Sequence, residues 1–222
     1  MRNTLLEMVQ SILSDMDSEN VNSISDSVEA QQVASVIEDT FFNIIAAREI
    51  PEHKQLLKLT ALADSTRPTH FQYPTDTKQL ERVFYDISTT GTNYREIYFV
   101  EPLDFLNKVN EDGSNVTSVL DKNGGTKIFI RTDRAPSYYT SFDDNYIVFD
   151  SYDSSVESTL QESKTRAYGT VYPSFTQADT FQPALDDTML PYLLAESKSV
   201  CFSLFTGGSD PKLEQASRRL KS

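Results

Sequence analysis

The spacing of apolar residues changes twice along this chain, and that change constrains the fold more than any other feature. Near the start, apolar residues recur every three or four positions, as they do on one face of a helix. From about residue 54 to 173 they alternate with polar residues, as in half-buried strands. After residue 186 the helical spacing returns. The sequence therefore predicts helices at both ends and an antiparallel β module of five to seven strands between them.

Two helices are predicted before residue 51. The first carries Thr4 and Glu7 at capping-box spacing, and Asp26 and Glu29 repeat that spacing before the second. Pro51 ends the segment because a residue before proline disfavours the helical conformation. The apolar stripes of the two helices are Leu5, Val9, Ile12, Leu13 and Met16, then Val33, Ile37, Phe41 and Ile44.

The middle of the chain is predicted to form mainly short strands. A short helix is expected to begin at Pro102, and residues 110–125 are expected to form a loop because they hold three glycines. The segment 143–145, Asp-Asp-Asn, is typical of a hairpin turn between strands at 138–142 and 146–152. Further strands are predicted near 57–61, 83–87, 97–99, 128–130 and 160–171.

The last part of the chain returns to helical spacing. Pro191 suits the first turn of a helix, and the pair Asp210 and Pro211 resembles the start of a final one. That final helix is the one cationic element in an acidic chain. The apolar stripe of the earlier helix is Leu190, Leu193, Leu194, Val200, Cys201 and Leu204.

The formal charge of −13 argues against a nucleic-acid reader, because phosphate contacts need clustered Lys and Arg. A negative surface repels DNA and suits a conduit better than a binding site. The single Cys201 excludes an intrachain disulfide. The longest apolar run, 41–47, is interrupted by Asn43 and is too short to cross a bilayer. We expect a soluble chain, made in the cytoplasm and without a secretory signal.

Residues that could perform chemistry are few, so no enzyme activity, metal site or cofactor is predicted. His53 and His70 have no partners at metal-ligand spacing, and structural roles are favoured for both. The segment 143–153 holds Asp143, Asp144, Asp150 and Asp153, which could bind Ca²⁺, but turn chemistry explains them without an ion. No phosphate-binding loop, dinucleotide motif or nucleophile elbow occurs.

An aromatic group gives the main alternative. Tyr138, Tyr139 and Phe142 could form a carbohydrate platform, although alternation within a β core is the simpler interpretation. The alternative function is a β module that binds or hydrolyses surface carbohydrate.

Three stretches together resemble the podovirus head–tail adaptor family, the group that includes proteins of the tail tubular protein A type. They are residues 4–47, then YREIYFVEPLDFLNKV at 94–109 with APSYYTSFDDNYIVFDSYDS at 135–154, and finally 186–220 with LPYLLAESKSVCFSLF before a charged helix. Their order spans nearly the whole chain, and none is a catalytic signature.

The resemblance implies an α+β fold, a helical bundle from both chain ends with an inserted antiparallel β module that is sandwich- or barrel-like. The expected domains are 1–51, the β module 52–175 and the C-terminal helices 176–222. It implies a virion structural protein of the tail or neck, assembled in the host cytoplasm. The alternative is a tail accessory β module that binds or hydrolyses surface carbohydrate, and a cellular adaptor unrelated to phage also stays open.

The implied partners are a portal ring, a tail nozzle protein and further copies of the chain in a dodecamer through which DNA passes during ejection. Family members usually have a longer C-terminal tail. The predicted portal contacts are Lys212, Arg218, Arg219 and Lys221.

Overall fold

The protein is described by a computed structural model for residues 3–89, 91, 93–110, 113–122 and 125–205. Its contacts divide these residues into two compact units. One unit combines the residues up to His53 with those from Tyr172 onward, and the other is Lys54–Val171. No described helix is long and apolar enough to cross a membrane.

Among the described residues, the first unit holds three α-helices: α1 (Leu5–Asp15), α2 (Val28–Ala47) and α4 (Leu190–Phe205). The predicted capping box at the start of α1 is confirmed. The Thr4 hydroxyl accepts from the Glu7 amide at 3.2 Å, and the Glu7 carboxylate accepts from the Thr4 amide at 2.8 Å. Helix α2 begins one residue later than predicted, because Ser27 caps the Ala30 amide at 3.1 Å.

Both helices and loops contribute to the core of this unit. Ile12, Ile37 and Phe41 pack with Leu193 and Cys201, all of them buried. Burying such side chains contributes about 1.5–3 kcal/mol each. Residues outside the helices fill the same core: Val21, Ile24, Ile50 and Leu185 are buried in it, and Phe175 and Phe181 pack against it.

The second unit contains one eight-stranded sheet, curled into a half-barrel, and one small sheet. The order of the large sheet is β1-β10-β4-β5-β8-β9-β3-β2. The strands are β1 (Lys54–Leu57), β2 (Thr60–Ala61), β3 (His70–Gln72), β4 (Thr77–Asp86), β5 (Tyr94–Phe99), β6 (Val116–Leu120), β7 (Lys127–Arg131), β8 (Tyr138–Thr140), β9 (Tyr146–Phe149) and β10 (Thr165–Val171).

Each face of the large sheet carries its own apolar core. Ile147 and Phe149 of β9 lie in one core, whereas Val148 between them lies in the other, because successive side chains of a strand point to opposite faces. Helix α3 (Pro102–Val109) and the β6–β7 hairpin contribute to the second core through Phe105, Val109, Val119, Ile128 and Ile130.

The fold class implied by the resemblance is wrong. The protein has four described helices and a mostly β-rich core, and it is not a helical bundle from both chain ends carrying an antiparallel module. The large sheet is mixed, because β5 and β8 run parallel with Tyr98 opposite Tyr138. Loop residues also fill part of the core around the three helices.

Two local predictions also differ from the structure. The run at 57–61 is split between β1 and β2, which are the two outermost strands of the large sheet. The expected loop at 110–125 contains β6, which pairs with β7. In contrast, the hairpin around residues 143–145 is confirmed, since β8 and β9 pair antiparallel on either side of it.

Candidate functional site

The four predicted portal contacts, Lys212, Arg218, Arg219 and Lys221, lie outside the described residues. The final predicted helix, from Asp210 and Pro211 onward, lies there as well.

The two histidines are buried at separate places. In the first unit, His53 Nε2 lies 2.6 Å from the Ala184 carbonyl oxygen. In the second unit, His70 is 2% exposed and neither ring nitrogen has a hydrogen-bond partner among the described residues. Burial lowers the pKa of His70 to about 4. Within the described part of the chain, no three His, Cys, Asp or Glu side chains come together to hold a metal ion.

The acidic segment 143–153 is organised by backbone hydrogen bonds. Asp143 accepts from the amides of Asn145 and Tyr146, each at 3.0 Å. Asp150 is buried and accepts from the Ser137 and Tyr138 amides at 2.8 and 2.9 Å. The Asp143 bonds confirm the turn interpretation at residues 143–145, whereas Asp150 binds amides at the start of β8.

The three aromatic residues considered as a carbohydrate platform do not share a face. Tyr139 is 3% exposed and lies in the core shared with Phe149. Tyr138 and Phe142 pack against the opposite core, around Phe105. The three side chains therefore alternate between the two faces of the sheet, as the β-core interpretation predicts.

An open groove of about 740 Å³ lies between β4 and the β8–β9 hairpin. Residues of the β3–β4 turn and the start of β4 form one wall, and Tyr139, Ser141 and Asp144 contribute to the other. Phe99, which is 51% exposed, also lines the groove, and its ring packs edge-on against Tyr139 with centroids 5.5 Å apart. This volume lies within the usual range for ligand pockets, about 300–1,000 Å³.

The groove is acidic. Asp76 and Asp144 line it and make no ion pair among the described residues, while Glu81 pairs with Lys54 at 2.7 Å. Burial raises the pKa of the Tyr73 hydroxyl, and the negative charge of Asp144 raises it further. Sequence patterns did not reveal this groove, because strand pairing creates it. The only local signal was the turn sequence Tyr-Pro-Thr-Asp at 73–76.

A second surface feature is an exposed apolar stretch from β5 into α3. Four large apolar residues are solvent-exposed within nine positions. They are Tyr98 at 59%, Phe99 at 51%, Leu103 at 77% and Leu106 at 38%.

No protein-family model matches the chain. No curated protein matches it either.

Proposed function

We propose that this chain is a structural virion protein, a subunit of the head-to-tail adaptor ring that connects a portal to a tail nozzle and lines the DNA channel. The proposal starts from the three stretches that resemble the podovirus adaptor family. In the folded chain, one observation carries it: the exposed apolar stretch 98–106.

That stretch has the character of a protein–protein interface. Leu103 projects from the first turn of α3 and is 77% exposed, and Tyr98 on the adjoining strand is 59% exposed. Tyr98 lies opposite Tyr138 on the face of the sheet that α3 covers, whereas Phe99 lies on the other face. Exposed apolar surface such as that of Tyr98, Leu103 and Leu106 marks interaction sites on soluble proteins. In a closed ring every subunit covers the same surface of its neighbour, so assembly would bury this apolar surface in every subunit.

The negative charge of the chain suits a channel through which DNA passes. With a formal charge of −13, the subunits would give a channel a negative wall that DNA passes without sticking. Weak lateral contacts would suffice, because a preformed portal ring raises the effective concentration of neighbouring subunits. The assembled protein would lie in the virion neck, after assembly in the host cytoplasm.

The mass of the purified chain tests this proposal, measured by native mass spectrometry alone and after mixing with the cognate portal. We expect a small species alone and a fixed, near-twelvefold addition to the portal ring. A chain that does not bind the portal would refute the adaptor role.

The apolar stretch is tested by a double variant, Tyr98→Ser with Leu103→Ser. We expect it to lose most lateral association on the portal while remaining folded, because both side chains are largely exposed in the subunit. Leu56→Ser is the matched control, since Leu56 is 78% exposed but lies on β1. Equal effects of the two changes would show that the stretch has no special role.

A further inference from the structure

The large sheet is incomplete beside the first half of β4. This strand has ten residues, but its ladder with β5 covers only Val83–Asp86. Beyond that ladder, Tyr98 and Phe99 of β5 pair with β8, and the chain then turns into α3 at Pro102. Within the part of the chain that the structure describes, residues 79–82 of β4 therefore have a strand neighbour, β10, on one side only.

The acidic groove occupies the position that a longer β5 would fill. Residues 77–81 line it from β4, and Tyr139 and Ser141 line it from β8 and the turn that follows. Phe99, the last residue of β5, also lines it. At about 3.3 Å per residue, residues 79–82 of β4 offer roughly 13 Å of strand edge, enough for about four residues of extended chain.

We propose that this gap binds an extended, basic segment of a partner protein as an added strand between β4 and β8. Peptides that add to a sheet edge gain affinity from main-chain hydrogen bonds and specificity from their side chains. The charge selects a basic occupant, because Asp76 and Asp144 line the groove without an ion pair to any described residue, and Lys78 is the only cation among the described residues that line it. This inference stands on the sheet geometry and does not depend on the adaptor role.

A sugar ligand fits the groove less well than a strand. Sugars stack on open aromatic faces, whereas Tyr139 is 3% exposed, Tyr73 is partly buried, and only Phe99 among the described lining residues offers a half-exposed ring. Among the described residues, no strand pairs with the open side of Gln79, Leu80 and Glu81, and an added strand can pair with their main-chain groups.

The test uses the full chain and a synthetic peptide of about six residues in which Lys alternates with Val. Main-chain pairing depends little on sequence, so this peptide is a fair probe. We expect the amide NMR signals of Gln79, Leu80, Glu81 and Ser141 to shift on titration. The outer edge of β1, which carries Lys54 and lies beside Lys58, is the internal control and should not respond.

Two changes separate strand addition from simple charge attraction. A peptide with N-methylated backbone amides keeps its charge but loses its main-chain donors, and it should not bind. The variant Asp76→Asn with Asp144→Asn should weaken binding about fivefold at low salt, since two exposed charge interactions are removed. Both positions have positive φ, 60° and 58°, which Asn tolerates.

Asp17→Asn is the matched control, because Asp17 is exposed and also has positive φ, 55°, but belongs to the other unit. Equal binding of the N-methylated peptide, or shifts at β1 instead of β4, would overturn the proposal. So would the absence of peptide binding by the folded chain. Shifts at the groove caused by a neutral oligosaccharide, with none caused by the peptide, would reassign the groove to glycans.

Discussion

His70 has a side chain that can ionise, yet it is buried in the second unit. It lies opposite Val148 of β9, and Val148 lies opposite Thr140 of β8, so the three side chains share one face of the sheet. Both ring nitrogens of His70 and the Thr140 hydroxyl are buried without hydrogen-bond partners among the described residues. Such groups reduce stability, because they give up hydrogen bonds to water without replacement.

The burial of His70 predicts a specific dependence of stability on pH. Its pKa is about 4 in the folded chain, against 6.5 for the free side chain. Above pH 6.5 both states are neutral and the histidine has no effect. Between pH 6.5 and 4 the unfolded state takes up the proton first, so stability falls by about 3 kcal/mol as pH decreases, and below pH 4 the loss levels off.

The variant His70→Leu isolates this contribution from that of the many carboxylates. Leucine has a similar size and does not titrate, so the variant should lack this loss of stability between pH 6.5 and 4. Urea unfolding at several pH values measures the difference between the two proteins. Parallel stability curves for wild type and variant would contradict the prediction.

At the scale of elements, the pairing of β4 with β10 depends on one glycine. The register between these strands shifts between Tyr168 and Gly169. A Cβ atom at Gly169 would lie 2.3 Å from the backbone oxygen of Gln79, which is closer than any side chain tolerates. The two strands can approach there only because residue 169 has no side chain.

Gly169→Ala should therefore force β4 and β10 apart and cost about 1–3 kcal/mol of unfolding free energy. Chemical denaturation monitored by circular dichroism measures the cost. Gly113→Ala is the control, because a Cβ there would meet only Val116, at 4.0 Å, and the change should stay within about 0.5 kcal/mol. A cost at Gly169 no larger than at Gly113 would show that the backbone adjusts freely.

The helices were predictable from sequence because their signals are local. The stripe from Leu5 to Met16 and the capping pair Thr4 and Glu7 gave α1, and Pro102 at N1 gave α3. The predicted start of a helix was less accurate where two neighbouring residues could both cap it, as Asp26 and Ser27 could before α2. Asp26 instead accepts from the amides of Asn22 and Ser23.

The sheet was less predictable, because strand order depends on contacts between distant residues. Alternation predicted several strands, but it carries no information on the parallel pairing of β5 with β8. The same limit applies to the groove, which exists because β5 leaves β4 after four paired residues. The three-residue strand β3 was missed because a run that short shows almost no periodicity.

At the scale of the whole molecule, the basic C-terminal residues are predicted to bind the portal. Replacing Arg218, Arg219 and Lys221 by Glu should weaken portal binding by at least about tenfold at low salt, because favourable charge contacts become repulsive. The subunit should remain folded. Affinity measurements across salt concentrations, together with circular dichroism, test both statements.

Charge reversal at Arg95, Lys127 and Arg134, which are exposed in the second unit, supplies a control with the same change in net charge. Portal binding should depend on the position of the charges, so the control should retain most of its affinity. Unchanged portal affinity of the C-terminal variant at low salt would remove these residues from the interface.

The discontinuous first unit has a consequence for how the protein is synthesised. Its core joins Ile12 and Ile37 to Leu193 and Cys201, with Lys54–Val171 between them in the sequence. On the ribosome, α1 and α2 emerge long before α4, so their apolar faces stay uncovered while the whole β unit is translated. The β unit can fold during translation, whereas the helical core can close only after α4 has left the exit tunnel. Chaperones would have their best opportunity to bind the nascent chain in that interval.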